Sequence, residues 1–180
     1  MSDYDRKKLI EVVLYILNKT GGIDYYRLFK IMYFAEMEHL AAWGGRITAD
    51  EFVAIKYGPV PAGLYNAVKR NAHNANLDKL LWGDVELAGD DAPYVLLPKR
   101  APNLRYISAS EVAFLDKSIA ENAKRLFSEL KNLSHDKAWE NACKRRIKII
   151  SPLDMARVAG ATEATVEYID EQLALDRALA

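Results

Sequence analysis

From Tyr4 to Lys19 the apolar residues Ile10, Val13, Leu14 and Leu17 recur at helical spacing, and Gly21-Gly22 closes the segment. A second helix is predicted from Asp24 to Trp43, with Asp24 as its cap and Gly44-Gly45 as its stop. Leu28, Ile31, Met32 and Ala35 form its stripe, and Phe29, Tyr33, Phe34 and Met37 add bulk on the other sides. Such a helix belongs at the centre, wrapped by the others. Ala49 to Lys56 is expected to be a short helix leading into Tyr57-Gly58-Pro59-Val60-Pro61, where two prolines rule out regular helix. Pro61 suits the first turn of a further helix through Leu64, Tyr65 and Val68.

The period changes between Asp84 and Leu97. Val85 and Leu87 alternate, Gly89-Asp90-Asp91 turns, and Tyr94 to Leu97 reads as extended, so a small hairpin is expected. Helical spacing then returns. Ser108 and Glu111 form a capping-box pattern ahead of Val112, Leu115 and Ile119, and Ala123, Leu126, Phe127, Leu130 and Leu133 mark the next stripe. Ser134 is the expected cap of a helix from His135 to about Lys148, followed by helices over Leu153–Ala159 and Glu163–Leu179. A single helical layer cannot bury these stripes. The predicted fold is therefore mainly α, a compact helical bundle with a small β-hairpin at one edge.

With 180 residues the chain suits one domain. Lys plus Arg and Asp plus Glu both number 25, and a net charge of zero implies no general affinity for nucleic acid or anionic lipid. Cys143 is the single cysteine and has no internal partner, which suits a reducing compartment. No stretch reaches the roughly 20 apolar residues of a membrane span, and the first residues lack a signal-peptide run, so a cytoplasmic location is expected.

Little in the sequence points to catalysis, metal or cofactor chemistry. His39, His73 and His135 are scattered, with no metal-ligand spacing. His39 falls on the apolar face of its helix and reads first as a partly buried histidine bonded to a neighbour. Cys143 has Lys144, Arg145 and Arg146 beside it, but no base is evident to make it a nucleophile. No phosphate-binding glycine loop appears.

Two segments invite a binding reading. Ala156, Gly160 and Val166 have the packing rhythm of a helix-turn-helix, which makes a small DNA-binding regulator one alternative. Against it, Glu163, Glu167, Asp170, Glu171 and Asp176 face Arg177 alone, a net −4 that repels phosphate. The basic run Lys144, Arg145, Arg146 and Lys148 suits solvent, an intramolecular acid or an acidic partner. The stiff segment Lys56, Tyr57, Gly58, Pro59 and Val60, with Pro61, suits a preorganised contact site or a buried structural corner. Tyr65 on the following helix and His39 extend the expected partner-binding surface.

These segments resemble the Panacea domain of SocA-like antitoxins and phage-associated GepA-type proteins. The resemblance rests on Leu28-Phe29-Lys30-Ile31-Met32-Tyr33-Phe34-Ala35 with His39-Leu40, on Asp50 through Pro61 with Leu64-Tyr65, and on Leu133-Ser134-His135 with Trp139. It departs at Glu36-Met37-Glu38, where relatives commonly carry a glutamine-glycine-aromatic run. It implies a Panacea-like domain over residues 1–145, with 146–180 as a helical extension packed on the same domain. It further implies a non-enzymatic antitoxin with a cognate protein toxin as partner, neutralised directly or by delivery to the ClpXP protease. Nucleic acid and membrane are not expected partners.

Overall fold

Ser2 and Asp5 exchange hydrogen bonds as a capping box at the start of α1 (Asp3–Thr20), and Gly21, at φ 69°, closes it in the left-handed conformation that suits glycine. The computed structural model describes residues 1–70 and 75–179, and His73 lies outside them. In α1 every residue from Leu9 to Leu17 is buried, which is more than the single predicted face. Glu11 tolerates this because Arg100 grips both of its oxygens at 2.8 and 3.0 Å and the Asn103 amide donates to it at 2.6 Å.

α2 (Tyr25–Trp43) is the central helix that its apolar stripe predicts, and Asp24 caps it through the Arg27 amide. Lying along it, α5 (Ala109–Asn122) starts at the expected Ser108–Glu111 capping box and donates from Ser118 Oγ to Ile31 O at 2.8 Å. The predicted hairpin is present as β4 (Val85–Leu87) and β5 (Val95–Pro98). A third strand, β1 (Ile23–Asp24), pairs with the other edge of β5 and so ties the α1–α2 junction to the hairpin.

Two sequence expectations are corrected, the first around residue 55. The segment Ala49–Lys56 is not a helix: β2 (Phe52–Ile55) runs antiparallel to β3 (Gly58–Pro61), with Ala54 opposite Pro59. Phe52 and Ala54 point into the core while Val53 and Ile55 are half-buried. Because all four residues are apolar, this two-residue alternation leaves no trace in the sequence. Prolines are tolerated in β3 because it forms the edge of this pair. The chain continues into α3 (Ala62–Val68), whose second and third amides, Gly63 and Leu64, both donate to the buried Asp50 carboxylate at 2.8 Å. α4 (Ala75–Asp84) then leads into β4.

The second correction lies after α6 (Phe127–Ser134). Ser134 does not cap the next helix. Asp136 does, accepting from the Trp139 amide at 2.9 Å, and α7 (Lys137–Cys143) stops five residues before Lys148. The run Lys144 to Lys148 is exposed, and Arg145 pairs with Asp154 at 2.9 Å. Lys148 O then accepts from Ala54 N, and Ile150 N donates to Phe52 O, both at 2.8 Å, so the C-terminal segment lies along the open edge of β2. α8 (Pro152–Val158) packs on α2, and α9 (Glu163–Leu179) packs on α8 with Val166 and Ile169 turned inward. The architecture is mainly α with small antiparallel hairpins, and among the described residues no helix is long and apolar enough to cross a membrane.

Candidate functional site

The β2–β3 turn is held by three side chains that each capture a carbonyl oxygen from one side of it. Trp139 Nε1 donates to Ile55 O at 3.1 Å, Tyr26 Oη to Tyr57 O at 2.7 Å and Lys30 Nζ to Pro59 O at 2.6 Å. These donors come from α7 and α2, so elements more than 70 residues apart in sequence meet at one turn. Each donor is itself positioned. Trp139 stacks on His135 with centroids 3.8 Å apart, and Asp136 accepts from both the Trp139 amide and Tyr33 Oη. Lys30 Nζ also lies 4.8 Å from the centre of the Tyr26 ring.

Burial sets the electrostatics of this latch. Lys30 is 0% exposed, and burial brings its ammonium down to about 7 against a smaller opposing pull from Asp136. Burial, reinforced by the Asp136 charge, pushes the Tyr33 phenol well above its usual range; burial also raises the Asp136 carboxyl. The Tyr26 phenol is pushed up to about 12, mainly by burial.

The turn forms one wall of an open groove of about 780 Å³. Tyr57 and Phe127 line one side, with Phe127 in ring contact with both Tyr57 and Tyr26 at 5.9 and 4.2 Å. Tyr25, Phe29, Tyr65 and Tyr94 continue the lining as a chain of rings 5.7–6.2 Å apart. Tyr57, Tyr94 and Phe127 are 45%, 62% and 45% exposed, an unusual concentration of large rings at a surface. Lys69 Nζ donates to Tyr25 Oη at 2.6 Å, and Lys56 Nζ sits 5.5 Å from the Tyr57 ring centre.

The expected binding residues therefore fall into three groups. Lys56 and Tyr57 are exposed at the turn, and Tyr65 is half-buried in the groove. Gly58, Pro59 and Val60 are buried and hold the turn from behind, although Val60 also reaches the groove lining. His39 is 5% exposed, with Nδ1 at 2.7 Å from Gly45 O and Nε2 at 3.3 Å from Ser110 Oγ. Ten residues separate it from Phe29 on α2, about 15 Å along the axis. It does not reach the groove, and both its nitrogens are engaged.

Sequence reasoning passed over Tyr25, Tyr26, Lys69, Tyr94 and Phe127 as groove residues. Tyr25-Tyr26 at the start of the central helix was the one available signal, since polar-tipped rings are poorly suited to a fully wrapped position. Among the described residues no three His, Cys, Asp or Glu side chains converge to hold a metal ion. Cys143 is half-buried against the core.

No curated protein and no solved structure matches the chain significantly. The family model described as "Antitoxin SocA-like, Panacea domain" matches residues 28–140, a span that contains Lys30, the β2–β3 turn and Trp139. Since that match takes in well over half of the sequence and all but one of the latch donors, the chain belongs to the SocA-like antitoxin family of Panacea domains.

Proposed function

We propose that this chain is an antitoxin that binds a cognate protein toxin through the β2–β3 turn and the adjoining aromatic groove. The observation that carries the reading is the latched turn: three side-chain donors fix the backbone that presents Lys56 and Tyr57, so little conformational freedom remains to be lost on binding. Exposed tyrosine and phenylalanine match the aromatic enrichment of protein interfaces, where rings supply area at low entropic cost. Direct inhibition and delivery of the toxin to a protease such as ClpXP both begin with this contact.

The test is co-expression with the product of a neighbouring toxic reading frame, scored for growth, for a co-purifying complex and for the toxin's cellular level. Lys56→Glu and Tyr57→Ala are the informative variants because both side chains are exposed. Each is expected to melt within a few degrees of the parent yet weaken the complex at least tenfold, about 1.4 kcal/mol. Tyr65→Ala is expected to lose both binding and stability, since its ring also packs against Phe29. If Lys56→Glu and Tyr57→Ala bind as the parent does, the contact surface lies elsewhere. A stable toxin level in rescued cells favours direct inhibition, whereas a protease-dependent fall favours delivery.

The α8–α9 corner is expected to be a packing corner and not a DNA reader. Its buried residues are Met155, Ala156, Val166 and Ile169, while Glu163, Glu167, Asp170 and Glu171 all face solvent. Titration against the protein's own promoter duplex and a random duplex should show only weak, salt-sensitive binding without selectivity. Submicromolar promoter-selective binding at moderate salt would overturn this.

A further inference from the structure

Two cations beside the groove are set against tyrosine rings, with no carboxylate partner among the described residues. Lys7, Lys19, Lys117, Lys137 and Arg145 each pair with an Asp or Glu within 3.4 Å. Lys56 and Lys69 have no such partner among the described residues. Instead their ammonium groups lie against tyrosine rings, 5.5 Å from the centre of Tyr57 and 4.6 Å from that of Tyr25. The Tyr25 hydroxyl accepts from Lys69, an arrangement that keeps the lysine charged and aimed at the groove.

The carboxylates of the groove limit what can enter. Asp24 is occupied by Arg27 and by the cap of α2, while Asp91 has no ion-pair partner among the described residues. A continuous polyanion such as single-stranded nucleic acid would stack on the rings but bring its phosphates against Asp91. A polypeptide avoids that conflict, because it can place carboxylates at some positions and apolar side chains at others. The groove volume of about 780 Å³ suits such a segment, with room for more than one side chain.

We infer that the groove receives a segment of the partner protein carrying an apolar, preferably aromatic, anchor flanked by carboxylates that meet Lys56 and Lys69. This rests on the groove being the contact surface, as proposed above, and names the chemistry of its occupant. The rings supply the buried area, and the two ammonium groups select position and orientation of the segment.

Random dodecapeptides displayed on phage, panned against the purified full chain, test the inference without requiring the toxin. Enriched peptides should combine an aromatic residue with Asp or Glu within a few positions. Synthesised singly, they should bind at least tenfold more weakly to the Lys56→Glu/Lys69→Glu double variant and to Tyr94→Ala, each first shown to melt within a few degrees of the parent. No enrichment, enrichment without acidic residues, or equal binding to the charge-reversed variant would each overturn the inference. So would tight binding of a labelled oligothymidylate that is lost in the same variants, which would assign the groove to nucleic acid. Toxin rescue in co-expression is scored independently. Rescue without acidic-aromatic peptides removes only this inference, whereas such peptides without rescue remove only the antitoxin reading.

Discussion

Replacing Gly58 by alanine is expected to destabilise the fold by about 2–4 kcal/mol, a large share of the roughly 5–15 kcal/mol that holds a domain of this size together. Gly58 has φ 98°, a region that residues with a Cβ rarely adopt, and that conformation alone costs on the order of 1–3 kcal/mol. An added Cβ would also sit 2.6 Å from Ser134 Oγ and 2.9 Å from Lys30 Nζ. The lysine end can swing only by giving up Pro59 O, and Ser134 is fully buried, so neither neighbour yields freely. Urea unfolding should show a lower midpoint with an unchanged slope. Ser134→Ala in the Gly58→Ala background should recover part of the loss by removing one clash while leaving the backbone strain. A Gly58→Ala variant within about 0.5 kcal/mol of the parent would mean that the turn is not seated against Ser134 and Lys30.

The same position shows what the sequence could and could not reveal. Gly58, Pro59 and Pro61 plainly excluded a helix, and the stiffness of the two prolines singled the segment out. That it forms a strand paired with Phe52–Ile55 was hidden, because four consecutive apolar residues carry neither a two-residue nor a 3.6-residue period. Local signals elsewhere were sufficient: Asp24 and the Ser108–Glu111 pair cap their helices, and Gly21 and Gly44 end theirs. Ser134 misled because Asp136, two residues later, has the stronger cap geometry once Tyr33 and Trp139 surround it.

Long-range pairing accounts for the rest. Nothing local marks β1, a two-residue strand that exists through its bonds to Val95 and Leu96. Nor does anything local mark the attachment of 148–150 to β2, which makes residues beyond the family match part of the frame behind the turn. The groove has the same character. Tyr25, Tyr57, Tyr94 and Phe127 lie far apart in sequence and converge only when β5, the turn and α6 assemble around the start of α2. His39, which the resemblance made conspicuous, serves the opposite end of that helix by tying Gly45 to Ser110.

Stability is expected to pass through a minimum near pH 7, set by two buried groups with opposite signs. Burial raises the Glu36 carboxyl from 4.5 to about 7, with Arg46 at 3.4 Å opposing only in part. A group whose folded pKa is raised contributes stability that is complete below its unfolded value and lost as pH rises through the folded one, so Glu36 lowers stability between about 4.5 and 7. Lys30 is the converse. Its folded value of about 7 lies below the ordinary 10.5, so the unfolded chain binds more protons throughout that window and stability rises with pH across it. At 1.36 kcal/mol per pH unit, the effects are on the order of 3 kcal/mol for Glu36 and about 5 kcal/mol for Lys30. Asp50 and Asp136, also raised by burial, act in the sense of Glu36, while His135, lowered mainly by burial, opposes them at acid pH. Differences between variants are therefore more informative than the raw curve. Unfolding free energies from pH 4.5 to 9.5 should show that Glu36→Gln flattens the acid limb and Lys30→Met the alkaline limb. An alkaline limb unchanged by Lys30→Met would remove the buried ammonium from beneath the turn. If the slope does vanish, the Lys30→Met protein becomes the sharper probe of function. It spares the fold a buried charge but deletes the donor to Pro59 O, so weaker partner binding by a stable protein would show that the lysine is kept to position the turn.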